Sequence, residues 1–69
     1  MLGIMIFNGD HPDVALEDGI LYDGLHCGDC CRYYGNGWID VRLEYNENEW
    51  MLVCHGEHLP IRYGTQVNI

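Results

Sequence analysis

The side chains able to do chemistry here are four cysteines, Cys27, Cys30, Cys31 and Cys54, and four histidines, His11, His26, His55 and His58. Cys27-x-x-Cys30 and Cys54-x-x-x-His58 together supply a Cys3His donor set of the kind that holds a structural zinc ion, with His26, Cys31 and His55 as further donors. The competing reading makes Cys31 and Cys54 small core residues and the other thiols partly buried ones, since free cysteine is among the most buried residue types. Nucleophilic catalysis needs a thiolate beside a base. Cys54-His55 and His26-Cys27 do not meet that need, because consecutive residues of a strand point to opposite faces. Asp40 and Glu44 lie four residues apart on an expected strand, about 13 Å at ~3.3 Å per residue, and read as a solvated face and not an acid/base pair. A domain of this size also has little room for a substrate pocket. The expectation is a protein that is not an enzyme and carries no cofactor, with zinc as the alternative.

The elements that would position these residues are short. Met1 to Phe7 is an apolar run closed by Asn8-Gly9-Asp10, which predicts a strand and a turn. His11 to Gly19 predicts one or two helical turns, with Pro12 in the first turn and Gly19 as the stop. Ile20-Leu21-Tyr22 predicts a brief strand ended by Asp23-Gly24. From Leu25 onward three strand-like segments are separated by Gly35-Asn36-Gly37 and Asn46-Glu47-Asn48-Glu49. In the middle segment Ile39, Val41, Leu43 and Tyr45 alternate with Trp38, Asp40, Arg42 and Glu44, the pattern of a half-buried antiparallel strand.

The simplest registers set Tyr34 opposite Trp38 and Tyr45 opposite Trp50. The inner face then collects Cys31, Tyr33, Ile39, Val41, Leu43, Tyr45, Trp50, Leu52 and Cys54. The outer face collects Cys30, Arg32, Tyr34, Trp38, Asp40, Arg42, Glu44, Met51 and Val53, with Arg32 across from Asp40. This register divides the zinc set, placing Cys30 outside and Cys54 inside. Cys31 and Cys54 flank Val41 from opposite sides at roughly 9–10 Å, too far for a disulfide. Several short strands without a long helix predict a mostly β fold: a small closed antiparallel barrel with a short N-terminal helical segment. The 69 residues form a single domain, with residues 1–24 as an N-terminal strand and helix and residues 25–69 as the barrel core.

The block Leu25-His26-Cys27-Gly28-Asp29, with Trp38, Val41-Arg42-Leu43-Glu44-Tyr45, Trp50-Met51-Leu52-Val53 and Val67-Asn68-Ile69, resembles a family of short domains of unknown function from Gram-positive mobile elements and phages. Leu25 to Asp29 is also similar to the Leu-x-x-Gly-Asp that enters the first long strand of SH3-type barrels, and Gly56 to Tyr63 to the Gly-x-x-x-Pro-x-x-Tyr near their end. The resemblance covers about Leu25 to Ile69. It implies an SH3-like barrel and a mobile-element setting, and it brings no catalytic residues. The acidic loop and paired aromatics with which SH3 domains grip proline-rich peptides are not recognisable, and Cys30, Cys31 and Cys54 lie outside the family pattern.

Composition narrows the function. The chain has no lysine and three arginines against eleven acids, a formal net charge of -8. Such a surface does not hold phosphates by counterion release, which argues against direct nucleic-acid binding and makes a basic protein surface the natural partner. The acids Asp13, Glu17, Asp18, Asp23 and Asp29 read either as solubilising charge or as a mimic of a phosphate backbone. Tyr34, Trp38, Arg32 and Arg42, with Asp40, Glu44 and Met51, are the candidate partner-binding set, because Trp, Tyr and Arg dominate interface hot spots. The alternative role for Tyr34 and Trp38 is to stack across the hairpin and hold its register. No apolar run approaches the ~18 residues of a membrane span, and no basic leader with a cleavage site is present, so a cytoplasmic location without membrane contact is expected. The expected function is a phage or mobile-element protein that inhibits a basic, nucleic-acid-handling host factor, in the manner of an anti-CRISPR protein acting by nucleic-acid mimicry. A zinc-stabilised structural module and a self-assembling accessory subunit, monomer or homodimer, are the alternatives.

Overall fold

The computed structural model describes residues Met1–Ile69 as seven strands: β1 Leu2–Asn8, β2 His11–Leu16, β3 Cys30–Gly35, β4 Gly37–Asn46, β5 Glu49–Cys54, β6 Glu57–Leu59 and β7 Gln66–Asn68. They form one sheet in the order β2-β1-β7-β3-β4-β5-β6, every neighbouring pair antiparallel. The mostly β expectation agrees with this architecture. β7 stands between β1 and β3, so residues 1–24 share one sheet and one core with residues 25–69.

The N-terminal helical segment is not formed, and His11–Leu16 is a strand instead. Asn8 and His11 close a two-residue loop of Gly9 and Asp10, and Gly9 first in that loop with φ 72 is the arrangement of a type II′ hairpin turn. The hairpin places Val14 opposite Met5, both fully buried. Asp13 takes the N–H of its own neighbour, Val14 N to Asp13 Oδ1 at 2.9 Å, a local bond that competes with helix formation. Pro12 is tolerated because β2 pairs on one side only with a named strand and the even residues of β2 turn their backbone groups outward. Val14 and Leu16 use those outward groups to bind Tyr22 N at 2.8 Å and Ile20 O at 2.9 Å.

The expected closed barrel is also corrected: the sheet is open, with β2 and β6 as its ends. β6 has three residues and is followed by Pro60, which cannot donate to a further ladder. The two ends approach through a side chain, Trp50 of β5 donating from Nε1 to the Asp10 carbonyl at 3.1 Å. The β6–β7 loop is pinned on the core by Arg62 N donating to the Tyr33 hydroxyl at 2.9 Å and by an edge-to-face contact of Phe7 with Tyr63.

The expected registers Tyr34–Trp38, Arg32–Asp40 and Tyr45–Trp50 are those observed. Cys31, Tyr33, Val41, Leu43 and Leu52 are buried on the inner face with Met5, Val14, Leu25 and Val67, while Ile39, Trp50 and Cys54 pack at its margin. Tyr45, expected inside, is 47% exposed: it stands at the end of β4 against Trp50, beyond the reach of the core. The Leu25–Asp29 block is a tight turn that seats Leu25 in the core and feeds β3. The Asp29 carboxylate accepts His26 N–H at 2.8 Å, Asp29 N donates back to the His26 carbonyl at 3.0 Å, and Gly28 supplies a φ of 95.

Gly3 permits a close approach of β1 to β2. A Cβ there would meet Val14 Cγ1 and lie 2.8 Å from the Ala15 carbonyl oxygen, which is backbone and cannot swing aside. Gly3→Ala is expected to destabilise the fold by about 1–3 kcal/mol, read as a lower urea midpoint with an unchanged slope.

Candidate functional site

The outer face of β3, β4 and β5 carries the whole predicted partner-binding set. The Gly35–Gly37 pair turns β3 into β4, and Gly37 at φ 105 adopts a conformation closed to other residues. This turn sets Tyr34 and Trp38 side by side at the hairpin tip with ring centroids 5.2 Å apart and planes at 72°. The rings stack edge to face, yet 46% of Tyr34 and 43% of Trp38 stay exposed. Arg32 Nε lies 3.4 Å from Asp40 Oδ1 and Arg42 Nε 2.8 Å from Glu44 Oε2, both pairs solvated. Exposed pairs of this kind contribute about 0–1 kcal/mol, so they organise the face more than they stabilise the fold. Their two cations cancel their two anions, and the net acidity of the chain therefore lies off this patch. Met51, half-buried opposite Glu44, borders it on β5.

The zinc set does not converge. Cys27 and Cys30 are exposed, Cys54 is half-buried on the inner side, and His58 projects beside Val53 from the outer one. Cys31 is buried beneath the sheet, and that burial, aided by neighbouring Cys30 and Asp29, pushes its thiol up to about 11. At neutral pH it is a protonated core residue, which removes it as a nucleophile.

A cluster that the sequence reading did not single out lies at the β1–β2 tip, where His11, Asp13 and Asp23 bring one ligand-type atom each within 4.8 Å of one another. Asp13 is fully buried. Its Oδ1 accepts Val14 N at 2.9 Å and Asp23 N at 3.1 Å, and its Oδ2 accepts Asp23 N at 3.2 Å and Asn8 Nδ2 at 3.5 Å. Amide donors thus fill the carboxylate, which acts as a clip tying the Asp23 turn to β2. The available signal was the Asn8-Gly9-Asp10 hairpin turn, which forces Pro12, Asp13 and Val14 into a strand. His11 Nδ1 lies 2.9 Å from Asp10 Oδ1. That hydrogen bond, reinforced by the charges of Asp10, Asp13 and Asp23 against a desolvation penalty, holds the imidazole above its ordinary 6.5. The same bond lowers Asp10 below the ordinary 3.8.

The model of a family described as a domain of unknown function, DUF5348, matches residues 3–69, and the chain belongs to that family. It is similar to a protein from Ruminococcus gnavus whose crystal structure was determined as a structural-genomics target, at 25% identity, over 100% of each chain and with a TM-score of 0.81. No curated protein matches the sequence.

Two outcomes are expected from the side-chain environments. In an NMR titration His11 protonates above 6.5 and Asp10→Asn returns it toward that value. Because the folded His11 value is raised, its contribution to stability is complete below pH 6.5 and fades as pH rises through the raised value. Alkylation of native protein at neutral pH labels Cys27 and Cys30 before Cys31, and a chelator leaves the melting temperature unchanged.

Proposed function

We propose that this DUF5348 domain is a non-enzymatic acidic binding module that docks a basic protein surface through the Tyr34–Trp38 face. The observation that carries the reading is the aromatic pair at the β3–β4 tip, each residue more than two-fifths exposed, on a patch whose own charges cancel. A stack that served only the register would function equally well with smaller exposed area, whereas Trp and Tyr flanked by Arg are the residues that dominate interface energetics. Arg32, Arg42, Asp40 and Glu44 form the polar rim around that anchor, and Met51 gives it an adaptable border.

Charge supplies the second half. With a net -8 concentrated away from the anchor, the remaining carboxylates attract a cationic partner over several ångströms before contact is made. The partner we favour is a nucleic-acid-handling host protein, since such proteins present basic grooves that spaced carboxylates fill in place of phosphates. The mobile-element setting, the anti-defence role and the SH3-like description of the sheet rest on the sequence resemblance at Leu25–Asp29 and Gly56–Tyr63. The buried thiol supports a non-enzymatic reading, because Cys31 is held protonated by its burial.

The test is capture from bacterial host lysate followed by kinetics on the purified partner. Trp38→Ala is expected to weaken binding roughly thirtyfold, as a hot-spot loss of ~2 kcal/mol, mainly through faster dissociation. Raising salt is expected to slow association far more than it speeds dissociation. A partner that is neutral or acidic, or one indifferent to Trp38→Ala, would overturn the reading.

A further inference from the structure

Unpaired hydrogen-bond donors mark where a ligand's acceptors belong, and cationic ones are scarce on a chain of net -8. A depression of about 500 Å³ lies between the β3–β4 turn and the β6–β7 loop, and none of the eleven acids lines it. Each of the other surface depressions includes at least one carboxylate. Of the three arginines, Arg32 and Arg42 are engaged by Asp40 and Glu44, while Arg62, which makes no ion pair, lines this depression. Tyr33 lines it as well and is only 4% exposed. Its hydroxyl accepts Arg62 N–H at 2.9 Å, and its own hydrogen meets no protein acceptor. A buried hydroxyl donor left unpaired carries a desolvation penalty that an incoming acceptor relieves. The Asn36 side chain and the Thr65 hydroxyl, also without partners in the protein, complete the polar lining, and Ile39, Leu59 and Pro60 supply apolar walls.

We infer that this depression is a binding site in its own right, and that it captures the C-terminal carboxylate of a polypeptide whose last residue is apolar. Tyr34 is the residue it shares with the aromatic docking face. A cation and neutral donors without an acid call for an anion with several acceptor lone pairs, and a guanidinium grips a carboxylate through two parallel bonds. The apolar walls call for hydrocarbon close to that charge. A C-terminal residue carries its carboxylate and its side chain on one carbon, whereas an Asp or Glu side chain ends in its charge with no apolar part beyond. A phosphate group has the charge but nothing to set against the walls. A free organic acid is the poorer occupant, because the depression is open on one side and small-molecule sites enclose most of their ligand's surface. A chain end instead lays its preceding residues on the surface outside, and capture of terminal carboxylates is a recurring mode of peptide recognition. The net -8 opposes an anion at long range, but physiological salt screens that opposition beyond about 8 Å, and Arg62 is the one charged residue of the lining.

The probe is an N-acetylated tripeptide of glycine, alanine and leucine with a free carboxylate, titrated into isotope-labelled full-length protein and followed by amide NMR shifts. The same peptide ending in an amide is titrated beside it. Shifts are expected at Asn36, Ile39, Arg62 and Thr65, and the amide peptide should bind roughly tenfold more weakly than the acid. Arg62→Gln, which removes an exposed and unpaired side chain, should also weaken the acid roughly tenfold. Asn46→Asp, which makes the chain more acidic by the same single charge at the end of β4, should weaken it less than about twofold. Equal binding of acid and amide, equal loss from Arg62→Gln and Asn46→Asp, or shifts that miss these four residues overturns the proposal. The free acid 4-methylpentanoate, leucine's apolar carboxylate without a chain, should bind roughly tenfold more weakly than the peptide. Equal affinity makes a free acid the occupant and overturns the chain end. Because the probe carries no cation, its failure leaves the basic-partner reading intact, and failure of that reading leaves this site standing.

Discussion

The structure depends on β7, three residues at the C-terminus that join two otherwise separate ladders. β1 and β2 form one hairpin, β3 through β6 form a meander, and Gln66–Asn68 is the one strand that pairs with both. Val67 is fully buried between Gly3 and Tyr33, so the junction is apolar as well as hydrogen-bonded. The chain ends reinforce it: the Met1 ammonium donates to Asn68 Oδ1 at 2.9 Å and to the Ile69 carbonyl at 2.7 Å, and Ile69 N donates to the Met1 carbonyl at 2.9 Å. Strands this distant in sequence must find each other at a substantial cost in chain entropy, and burial of Val67 against both halves is what offsets it.

That junction also makes the outer surface continuous. Without β7 the Leu2–Ile4 surface and the Tyr34–Trp38 surface would belong to different sheets, whereas with it Gln66 and Asn68 bridge them. A domain this small buries only about 60% of the surface of its unfolded chain, so apolar residues left on one face are partly a consequence of size. The inner face is meanwhile given over to the nine-residue core.

Much of the local pairing was legible in the chain. Alternation from Trp38 to Tyr45, bounded by a glycine turn and an Asn-Glu turn, determined the β3–β4–β5 register and which side chains share a face. It placed Arg32 across from Asp40 and separated Cys30 from Cys54. His11–Gly19 was misread because Pro12 and Gly19 are also helix punctuation, and a six-residue edge strand has too short a period to declare itself. The side-chain bonds of Asp13 and the contact with Met5 made it a strand. Tyr45 followed the correct alternation but ran past the end of the core, a limit set by the finite width of the layer.

The sequence by itself determined the acidity, the β character and the faces of neighbouring strands, because charge is additive and alternation is a local property of an extended backbone. Only the tertiary structure decided that the sheet stays open, that the last strand lies between the first and the third, and that Asp13 is buried on backbone amides. Each of those depends on residues far apart in the chain meeting, Val67 with Gly3, Trp50 with Asp10, Asp23 with Asp13. Such meetings are selected by the competition of whole arrangements for burial and hydrogen bonds, which no local window of residues records.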